Sequence, residues 1–545
     1  MSTRFLRAVA FMLMLLPLTV MATPRIQYTD ILTGSNTGGE NNQGAYLTLF
    51  GSGFGATQGA SQVTINNVPV AAYKQWSDTK ITVQPGANVT SGAIRVTVSG
   101  VSSETNNTFT VVPGKIFFVA LNGSDTAGCG DFGGPCRTIQ TTLNRSDFVP
   151  GSHLVIRGGT WSDMETTYGG FFSLAHMGGT AAAPIAVLGY PGETVLFFRT
   201  TQTRGFDTYQ STGYYTVANT HMDAQHVGIG YDAGVGTTNV RIVNNEIYNF
   251  FEDSGGAATI DGSGKGHRYL GNLIHDNGGS KLYHGIYFDS RDTTGPNDVE
   301  IAYNTIYNQT GGRGIQIYGD SGAIINNVRI HHNLIHHIHL DGIILSRDSG
   351  TGFQVYDNVV YHTADNMLQG PTADHGDGGN CLRFTGTTSG GGSSNLVAEV
   401  YNNTFVDCAV DGGAYSHSIS FEQANHITLR NNIIDAPGVY VDSTFSVSAI
   451  TSSNNMWLGG VTPASWDTNP VTGDVLSLFI GASVRNFHLL SGSAAIDRGS
   501  SSVNTVVTTD FDGNPRPQGG GYDIGAFESS GITLATPQNV RIAKK

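Results

Sequence analysis

The chain has 545 residues, of which 13% are charged and 39% are hydrophobic, and 73 are glycine. This length exceeds one ordinary domain, and the 22 tyrosines and 26 phenylalanines supply enough apolar surface for a core, which argues against a disordered chain. Few charges and much glycine favour strands and tight turns over helices. The formal net charge of −14 argues against nucleic acid as a partner, because phosphate binding requires a basic surface.

The first 22 residues have the pattern of a signal peptide. Arg4 and Arg7 precede the apolar stretch Ala8–Val20, which is short for a membrane span, and Ala22 ends a small-residue cleavage motif. We therefore expect residues 1–22 to be removed, which changes the formal charge from −14 to −16. The mature protein is then expected to be secreted or periplasmic, to have no membrane segment, and to be a monomer.

Residues 24–113 contain short alternating apolar runs separated by turns rich in glycine and asparagine, which predicts a small β-sandwich. Three segments carry the pattern: Tyr46–Gly55, Gln75–Ile81 and Gly92–Val98. Together they resemble an IPT/TIG immunoglobulin-like domain. The resemblance implies a non-catalytic spacer or a binding module.

The four cysteines are compatible with two disulfides in an exported chain. Cys129 and Cys136 bracket a glycine-rich loop and are expected to pair with each other. Cys381 and Cys408 fall on adjacent repeats, and the sequence leaves their pairing open.

The strongest signal is an internal repeat of the form apolar, x, x, Asn, x, Ile/Val/Phe, Tyr/His. The steps between successive asparagines are 27, 32, 29, 25, 45 and 29 residues, a period typical of a solenoid. Asparagine suits tight turns, so we interpret the series as structural rather than catalytic. The repeated residues are Asn245, Asn272, Asn304, Asn333, Asn358, Asn403 and Asn432.

The segments Phe117–Asp125, Pro135–Gln140 and Leu154–Trp161 resemble the opening coils of pectin-lyase-like right-handed β-helix proteins. Asp523–Glu528 resembles the last segment of many bacterial β-helix proteins. The resemblance implies an all-β fold with a right-handed parallel β-helix and its C-terminal cap over 115–528, followed by a loose tail over 529–545. Many proteins of this group are polysaccharide lyases.

Alternation with period 2 assigns side chains to the inside or the outside of each coil. Residues predicted to lie inside are Ile286, Phe288, Ile315, Ile317, Ile343 and Leu345; those predicted outside are Tyr287, Asp289, Gln316, Tyr318, Ser346 and Arg383. The residue that ends each repeat forms a stacked column of Tyr and His. Since His336 belongs to this column and His332 is equivalent to Tyr303, we interpret the cluster His331, His332, His336, His337 and His339 as structural rather than as a metal site.

Two neighbouring coils bring together the predicted catalytic residues Lys281, His284, Tyr287 and Arg313. His284 and Arg313 share a column and are expected roughly 5 Å apart. Such a group suits β-elimination on a uronic acid, in which a cation stabilises the carboxylate while a base removes the C5 proton and an acid protonates the leaving oxygen. Lys281 or His284 could be the base, Tyr287 or His284 the acid, and Arg313 the carboxylate-binding group.

A wider set of polar residues is predicted to bind the substrate, an acidic polysaccharide: Asp289, Arg291, Gln316, Tyr318, Arg347 and Arg383. The pair Lys281 and Arg313 is similar in kind to the Lys and Arg of the alginate lyase and chondroitinase B family, although the surrounding residues do not match that family's motifs. A calcium requirement stays open, with Glu252, Asp253, Asp276 and Asp289 as candidate ligands.

Three alternatives to a lyase share this fold. A glycoside hydrolase needs two carboxyl groups roughly 5–10 Å apart, and the motifs of polygalacturonases are absent. A uronate C5-epimerase starts with the same proton abstraction, but the Asp-Pro-His motif of alginate epimerases is absent. A non-catalytic, glycan-binding adhesin is the third.

Overall fold

The chain folds into a small β-sandwich followed by a right-handed parallel β-helix, which confirms the predicted fold class. The computed structural model describes residues 23–163, 170–200, 204–208, 210–224, 229–252, 257–290, 297–319, 324–346, 350–365, 378–386, 395–412 and 416–529. The signal peptide predicted for residues 1–22 lies outside the described residues, as does the predicted tail beyond Ser529. Within the described ranges, no helix has both the length and the apolar character needed to cross a membrane.

The N-terminal sandwich consists of two sheets, and burial alternates along Gln62–Ile65 and Gly92–Val98 of the second sheet. One sheet contains strands Arg25–Thr29, Leu47–Ser52, Lys80–Gln84 and Ala72–Trp76. The other contains Thr33–Gly34, Thr108–Val111, Gly92–Val98, Gln62–Ile65 and Val68–Pro69, with Val101–Ser102 paired to Gly92–Val98. The inward residues of facing strands, such as Leu49, Ile81 and Ile94, are completely buried between the sheets.

Successive coils of the β-helix contribute strands to three parallel sheets, which we call sheet one, sheet two and sheet three in the order in which the chain meets them. The strands of sheet one are Ile116–Val119, His153–Ile156, Ile185–Gly189, Tyr215–Ala218, Arg241–Val243, Arg268–Leu270, Val299–Ala302, Val328–His331, Phe353–Tyr356, Val397–Tyr401, His426–Arg430, Ile450–Ser453 and Asp467–Thr468.

The strands of sheet two are Gly159–Trp161, Val195–Arg199, His221–Ala224, Glu246–Tyr248, Leu273–Gly279, Thr305–Gln309, Leu334–Ile338, Val359–Thr363, Thr404–Val406, Ile433–Ile434, Met456–Trp457 and Val471–Thr472, with Phe251–Glu252 paired to Leu273–Gly279. The strands of sheet three are Phe172–Ser173, Phe206–Asp207, Ile229–Thr238, Ala257–Lys265, Tyr283–Ser290, Ile315–Gly319, Ile343–Ser346, Leu382–Thr385, Ile419–Phe421 and Val439–Val441.

The helical segments are short. The α-helices are Ile139–Leu143 and Val475–Leu478, and 3-10 turns occur at Glu40–Asn42, Val447–Ala449, Ala482–Val484 and Ser501–Val503. Near the C-terminus, strands Phe479–Gly481 and Asn486–Leu489 form a hairpin. Its apolar side chains, including Phe479, Phe487 and Leu489, pack with Tyr361 and Met456 on the outer side of sheet two.

The repeated asparagines form a continuous buried hydrogen-bond ladder between sheets one and two. The side-chain amide of Asn304 donates to Asn333 Oδ1 over 2.9 Å, and Asn333 donates in the same way to Asn358 over 2.9 Å. The same Oδ1 of Asn333 also accepts from the Asn304 main-chain N–H over 3.1 Å. The asparagine ladder comprises Asn245, Asn272, Asn304, Asn333, Asn358, Asn403, Asn432 and one further rung, Asn455.

The left-handed turn residue stands one position before each ladder asparagine. Asn244, Tyr303 and Asn431 have φ values of 52°, 61° and 58°, whereas the ladder asparagines do not have positive φ. The repeated Asn is therefore selected by its side-chain amide, which can donate and accept along the ladder, and not by tolerance of a left-handed backbone.

The predicted column of stacked rings is confirmed. Ring centroids are 5.1 Å apart for Tyr248–His275, 5.0 Å for His275–Tyr307, 5.1 Å for Tyr307–His336 and 4.8 Å for His336–Tyr361. His332 lies against the equivalent Tyr303 at 5.0 Å, as predicted, and its Nε2 donates to the main-chain oxygen of Asp510 over 2.9 Å.

Two disulfides cross-link the β-helix domain. One joins Cys129 to Cys136 across the glycine-rich loop. The other joins Cys381 to Cys408, the pair that the sequence left open. The second bond connects the start of the sheet-three strand Leu382–Thr385 with the chain leaving the sheet-two strand Thr404–Val406.

The sandwich packs against the outer side of sheet one. Tyr28 stacks on Tyr303 with centroids 4.9 Å apart, and Asp30 accepts a hydrogen bond from the Asn219 amide over 2.9 Å. Arg241 donates to the main-chain oxygens of Thr29 and Asp30 over 2.5 and 3.2 Å. Small and apolar outward residues of sheet one complete the contact: Val155, Ala186, Leu188, Ala218, Val243, Leu270 and Ala302.

We predict that Asn333→Ala lowers the free energy of unfolding by about 3 kcal/mol, because the buried N–H and amide of Asn304 lose their acceptor. Urea denaturation followed by circular dichroism measures the change. Asn425→Ala, at an exposed asparagine outside the ladder, is the control and should not change the urea concentration at the midpoint of unfolding. Equal transitions for the two variants would contradict the role of the ladder.

Candidate functional site

The outward side chains of sheet three form a continuous surface, which we call the sheet-three face. Pairing of adjacent strands aligns Asp232 with Asp261, Asp261 with Tyr287, and Tyr287 with Gln316. Gln316 aligns with Ile344 and Ile344 with Arg383, so Tyr287 and Arg383 share a column, as predicted. The inward neighbours Ile286, Phe288, Ile315, Ile317, Ile343 and Leu345 are completely buried, which confirms the predicted alternation.

Three aspartates occupy consecutive coils at one end of this column. Phe206 pairs with Tyr231, which places Asp207 beside Asp232, and Asp232 pairs with Asp261. Burial raises the pKa of Asp232 to about 6, and the charge of Asp207 adds to the effect against the opposing influence of Thr208 and Arg204. None of the three aspartates was predicted as a site residue, although each follows an inward aromatic or aliphatic residue at the solenoid period.

A network of arginines and carboxylates occupies the other end of the sheet-three face. Completely buried Asp341 lies 3.2 Å from Arg313 Nε and 3.8 Å from a terminal nitrogen of Arg383. Arg383 also donates to both carboxylate oxygens of Glu422, over 2.7 and 3.1 Å. Arg313 donates to Gln316 Oε1 over 3.4 Å. Both guanidinium groups are thus held in fixed orientations.

The buried carboxylate of Asp341 is the centre of this network. Burial alone would raise its pKa, but the charges of Arg383 and Arg313 and hydrogen bonds from Asn380 outweigh burial and hold the pKa of Asp341 below its ordinary value. The main-chain N–H groups of Gly379 and Asn380 donate to Asp341 Oδ1 over 2.9 and 3.0 Å. Asp341 is therefore ionised when it positions the two arginines.

His284 lies in the predicted column beside Arg313, but its ring is buried. Its Nδ1 accepts the main-chain N–H of Arg313 over 3.3 Å, and its ring stacks on Tyr287 with centroids 5.5 Å apart. Burial and the charge of Arg313 lower the pKa of His284 well below its ordinary value. A neutral, stacked imidazole suits the positioning of Tyr287 and Arg313.

The remaining predicted residues differ in exposure. Lys281 is exposed in the turn before the strand Tyr283–Ser290, and Tyr287 and Tyr318 are half-buried with ring centroids 6.1 Å apart. Asp289 and Gln316 point outward but are buried at 5% and 7% exposure. The side chain of Gln316 is buried because it lies between two neighbours: its amide donates to Ser346 on the next coil over 3.1 Å, and its oxygen accepts from Arg313.

Several predicted residues lie outside the described part of the chain: Arg291, Arg347 and the candidate calcium ligand Asp253. Of the other candidate ligands, Asp276 contacts His275 over 2.8 Å on the outer side of sheet two. Asp289 stands on sheet three, two residues beyond Tyr287. Two further carboxylates lie in the column of Tyr287: Asp261 on the adjacent coil and Asp232 one coil beyond it.

A comparison with known families identifies the N-terminal domain. Residues 32–111 match the IPT/TIG domain family. One cyclomaltodextrin glucanotransferase from Niallia circulans is 30% identical over 159 residues, covering 28% of this chain and 19% of that protein. Another, from Bacillus sp. (strain 6.6.3), is 31% identical over 134 residues, covering 24% and 16%. The chain thus spans less than a fifth of the length of the curated relatives it matches.

Among solved structures, similarity extends over most of the chain at low sequence identity. Pectate lyase Pel9A matches with a TM-score of 0.46 and 14% identity, over 76% of this chain and 96% of that one. XylC in complex with xylose matches with a TM-score of 0.44 and 11% identity, over 76% and 98%. Identities this low do not indicate a shared activity.

We predict that Asp341→Asn lowers the free energy of unfolding by about 3 kcal/mol at neutral pH, because two partly buried guanidinium groups lose their shared counter-charge. A carboxyl whose pKa is lowered on folding stabilises the protein above its unfolded pKa and loses this effect as the pH falls through the folded value. Guanidinium denaturation should therefore show the largest difference between variant and wild type at neutral pH and little difference in strong acid. Asp411→Asn, at an exposed aspartate, is the control; equal stability of all three proteins at neutral pH would disprove the role of Asp341.

Proposed function

We propose that the protein is an exported polysaccharide lyase that cleaves a uronate-containing polysaccharide by β-elimination at the sheet-three face. The observation that carries the proposal is the register of this face, which aligns Asp232, Asp261, Tyr287 and Gln316 across neighbouring coils beside an oriented Arg313. A sugar chain lying across the coils would meet carboxylates, a phenol and a guanidinium in turn. These are the groups that elimination requires: cation binding, proton transfer and carboxylate recognition.

The chemistry assigns a separate role to each residue. Arg313, oriented by Asp341 and Gln316, offers N–H groups to the uronate carboxylate, whose charge grows as the C5 proton leaves. Lys281, exposed in the adjoining turn, is the proposed base. Tyr287 is the proposed acid, because its O–H can donate to the leaving glycosidic oxygen.

His284 is proposed as a positioning residue and not as the base. Its Nδ1 is occupied by the Arg313 main chain, and its ring supports Tyr287. The lowered pKa of His284 keeps the imidazole neutral, so it adds no charge beside the guanidinium of Arg313. Because His284 is buried, we propose that it acts neither as the base nor as the acid, the two roles that the sequence left open.

We propose that a calcium ion binds at the aspartates of the sheet-three face. Calcium prefers several oxygen ligands in a flexible arrangement, which Asp207, Asp232 and Asp261 on consecutive coils can supply. Burial is the main cause of the raised pKa of Asp232, and the charge of Asp207 adds to the effect. A bound calcium ion would supply positive charge next to the substrate carboxylate.

We predict that the purified protein releases unsaturated products from one or more uronate polymers, measured as a rise in ultraviolet absorbance. Lys281→Ala and Tyr287→Phe should each lower kcat by about 10²-fold or more, since each removes a proton-transfer group. Arg313→Lys keeps the charge but loses the planar fork, and should raise KM or lower kcat/KM.

Matched controls lie on the other sheets. Tyr307→Phe, within the ring stack of sheet two, and Arg430→Lys, on sheet one, should leave turnover unchanged. Full activity in Lys281→Ala, Tyr287→Phe and Arg313→Lys would show that the sheet-three site is wrong.

We predict that calcium affinity falls as the pH is lowered through about 6, since Asp232 then takes up a proton and is no longer an anionic ligand. Isothermal titration calorimetry with CaCl2 at about pH 7.5 and about pH 5 measures the change. Asp232→Asn should bind calcium weakly at both values and lose the pH dependence, whereas Asp411→Asn should behave like the wild type. Calcium binding that is independent of Asp232 would contradict the proposed site.

A glycoside hydrolase is the second candidate, and one observation favours it. A carboxyl with a pKa of about 6 is suited to general acid catalysis, and carboxylates one or two coils apart are separated by roughly 5–10 Å, the range for acid–base pairs in glycosidases. New reducing ends without ultraviolet-absorbing products, abolished by Asp232→Asn, would favour the hydrolase over the lyase.

A further inference from the structure

Two histidines and one aspartate form a compact group on the outer side of sheet two. One ring nitrogen each of His337 and His362 and one carboxylate oxygen of Asp365 lie within 4.8 Å of one another. The two ring centroids are 4.4 Å apart, at an angle of 33°. Both histidines are half-buried, and Asp365 is buried. The three residues come from sheet two and the turn that follows it, not from the sheet-three face.

The stacked coils explain why the two rings meet. His336 pairs with Tyr361 between adjacent strands, so the residues that follow them, His337 and His362, also stack. Both have a left-handed backbone, with φ values of 52° and 57°, at a position occupied by Asn308 (φ 51°) in the coil before and by Asp407 (φ 53°) in the coil after. Two consecutive coils thus replace a turn asparagine or aspartate with an imidazole.

Outer contacts orient the His362 ring towards Asp365. Its Nδ1 lies 3.0 Å from Asp407 Oδ2, and Arg485 lies 2.7 Å from the same oxygen. Its Nε2 lies 3.3 Å from Asp365 Oδ2. A carboxylate behind one imidazole nitrogen fixes the tautomer and leaves the other nitrogen as a ligand, an arrangement typical of metal-binding histidines.

The ring of His337 is held in a similar way. Its Nδ1 forms a hydrogen bond of 2.7 Å with His336 Nδ1. A neutral imidazole with one nitrogen anchored can present its second nitrogen as a ligand.

We propose that His337, His362 and Asp365 form a binding site for a divalent transition metal, with Zn²⁺ as its representative. Two imidazoles and one carboxylate are ligands that Zn²⁺ accepts in four-coordinate sites, whereas Ca²⁺ prefers oxygen alone. Such a metal would also join the coils to the C-terminal segment, because Asp407 connects His362 to Arg485, whose guanidinium lies 5.1 Å over the ring of Tyr361. The site is independent of the proposed lyase reaction.

If this group binds no metal, the expected effects of zinc are different. A protonated His362 could bridge Asp365 and Asp407, since both carboxylates lie near its ring nitrogens. In that case zinc would neither bind at this position nor stabilise the fold, and replacing His337 would have no effect on zinc affinity.

The test titrates ZnCl2 into full-length, chelator-treated protein that carries no polyhistidine tag, by isothermal titration calorimetry and by thermal unfolding. The wild type should bind one Zn²⁺ at this site and unfold at a higher temperature with zinc. His337→Asn and His362→Asn should weaken binding by more than about tenfold, while the left-handed turn is preserved because Asn308 already occupies it in the neighbouring coil. Asp407→Asn, which removes the charge of the outer carboxylate shared by His362 and Arg485, should weaken binding by about tenfold.

The control is His221→Asn. His221 is another histidine on the outer side of sheet two and lies 2.6 Å from Glu246, so it tests for general binding by histidine and carboxylate pairs. It should leave zinc affinity unchanged, and CaCl2 should not displace the zinc. The proposal is overturned if the wild type binds no zinc, if the asparagine variants at 337 and 362 bind zinc as tightly as the wild type, or if His221→Asn alone abolishes binding.

Discussion

The structure of the β-helix depends on the asparagine ladder. The side-chain amide of a ladder asparagine both accepts and donates hydrogen bonds. Asn358, for example, accepts from Asn333 over 2.9 Å and donates to Asn403 over 2.9 Å. The rungs are buried, so an unpaired amide would cost free energy in either neighbour. The ladder therefore fixes the alignment of successive coils residue by residue. A shift by one position would turn every apolar side chain outward. Columns of functional side chains on the other sheets are a consequence of this single constraint.

The parts of the molecule that repeat could be predicted from the sequence. The ring column through His275 and His336 and the inward residues of sheet three follow from the period of the repeat and from alternation. The same register correctly separated the histidine cluster into individual positions, which placed His332 beside Tyr303. The same 25-residue step also aligns His337 with His362, but His362 lies outside the local histidine cluster, so this contact was not predicted.

Burial and pairing on the outer surfaces could not be predicted in this way. Alternation predicts whether a side chain points inward or outward, but not which residues cover it. Gln316, for example, points outward and is nevertheless buried against Ser346. The role of Asp341 also escaped the sequence analysis, because an inward position after a turn gives no sign that two arginines from neighbouring coils converge on it. Docking of the sandwich on sheet one depends on small outward residues such as Ala218 and Ala302, which alone resemble ordinary strand residues.

The charges of the sheet-three face bear on the substrate that we propose for it. Arg313 and Arg383 are paired with Asp341 and Glu422, whereas Asp207, Asp232 and Asp261 place three carboxyl groups on consecutive coils, with Arg204 3.4 Å from Asp207. Solvent ions screen the overall charge of the protein beyond about 8 Å, but they do not remove this local charge. In the proposed lyase, ionised aspartates here would repel a polyuronate unless a divalent cation lay between the substrate and the aspartates. A neutral sugar would need no such cation, and would use the proton on Asp232 instead. The same three carboxylates would serve either reaction. Turnover should depend on calcium if the protein is a lyase and should not depend on calcium if it is a glycoside hydrolase.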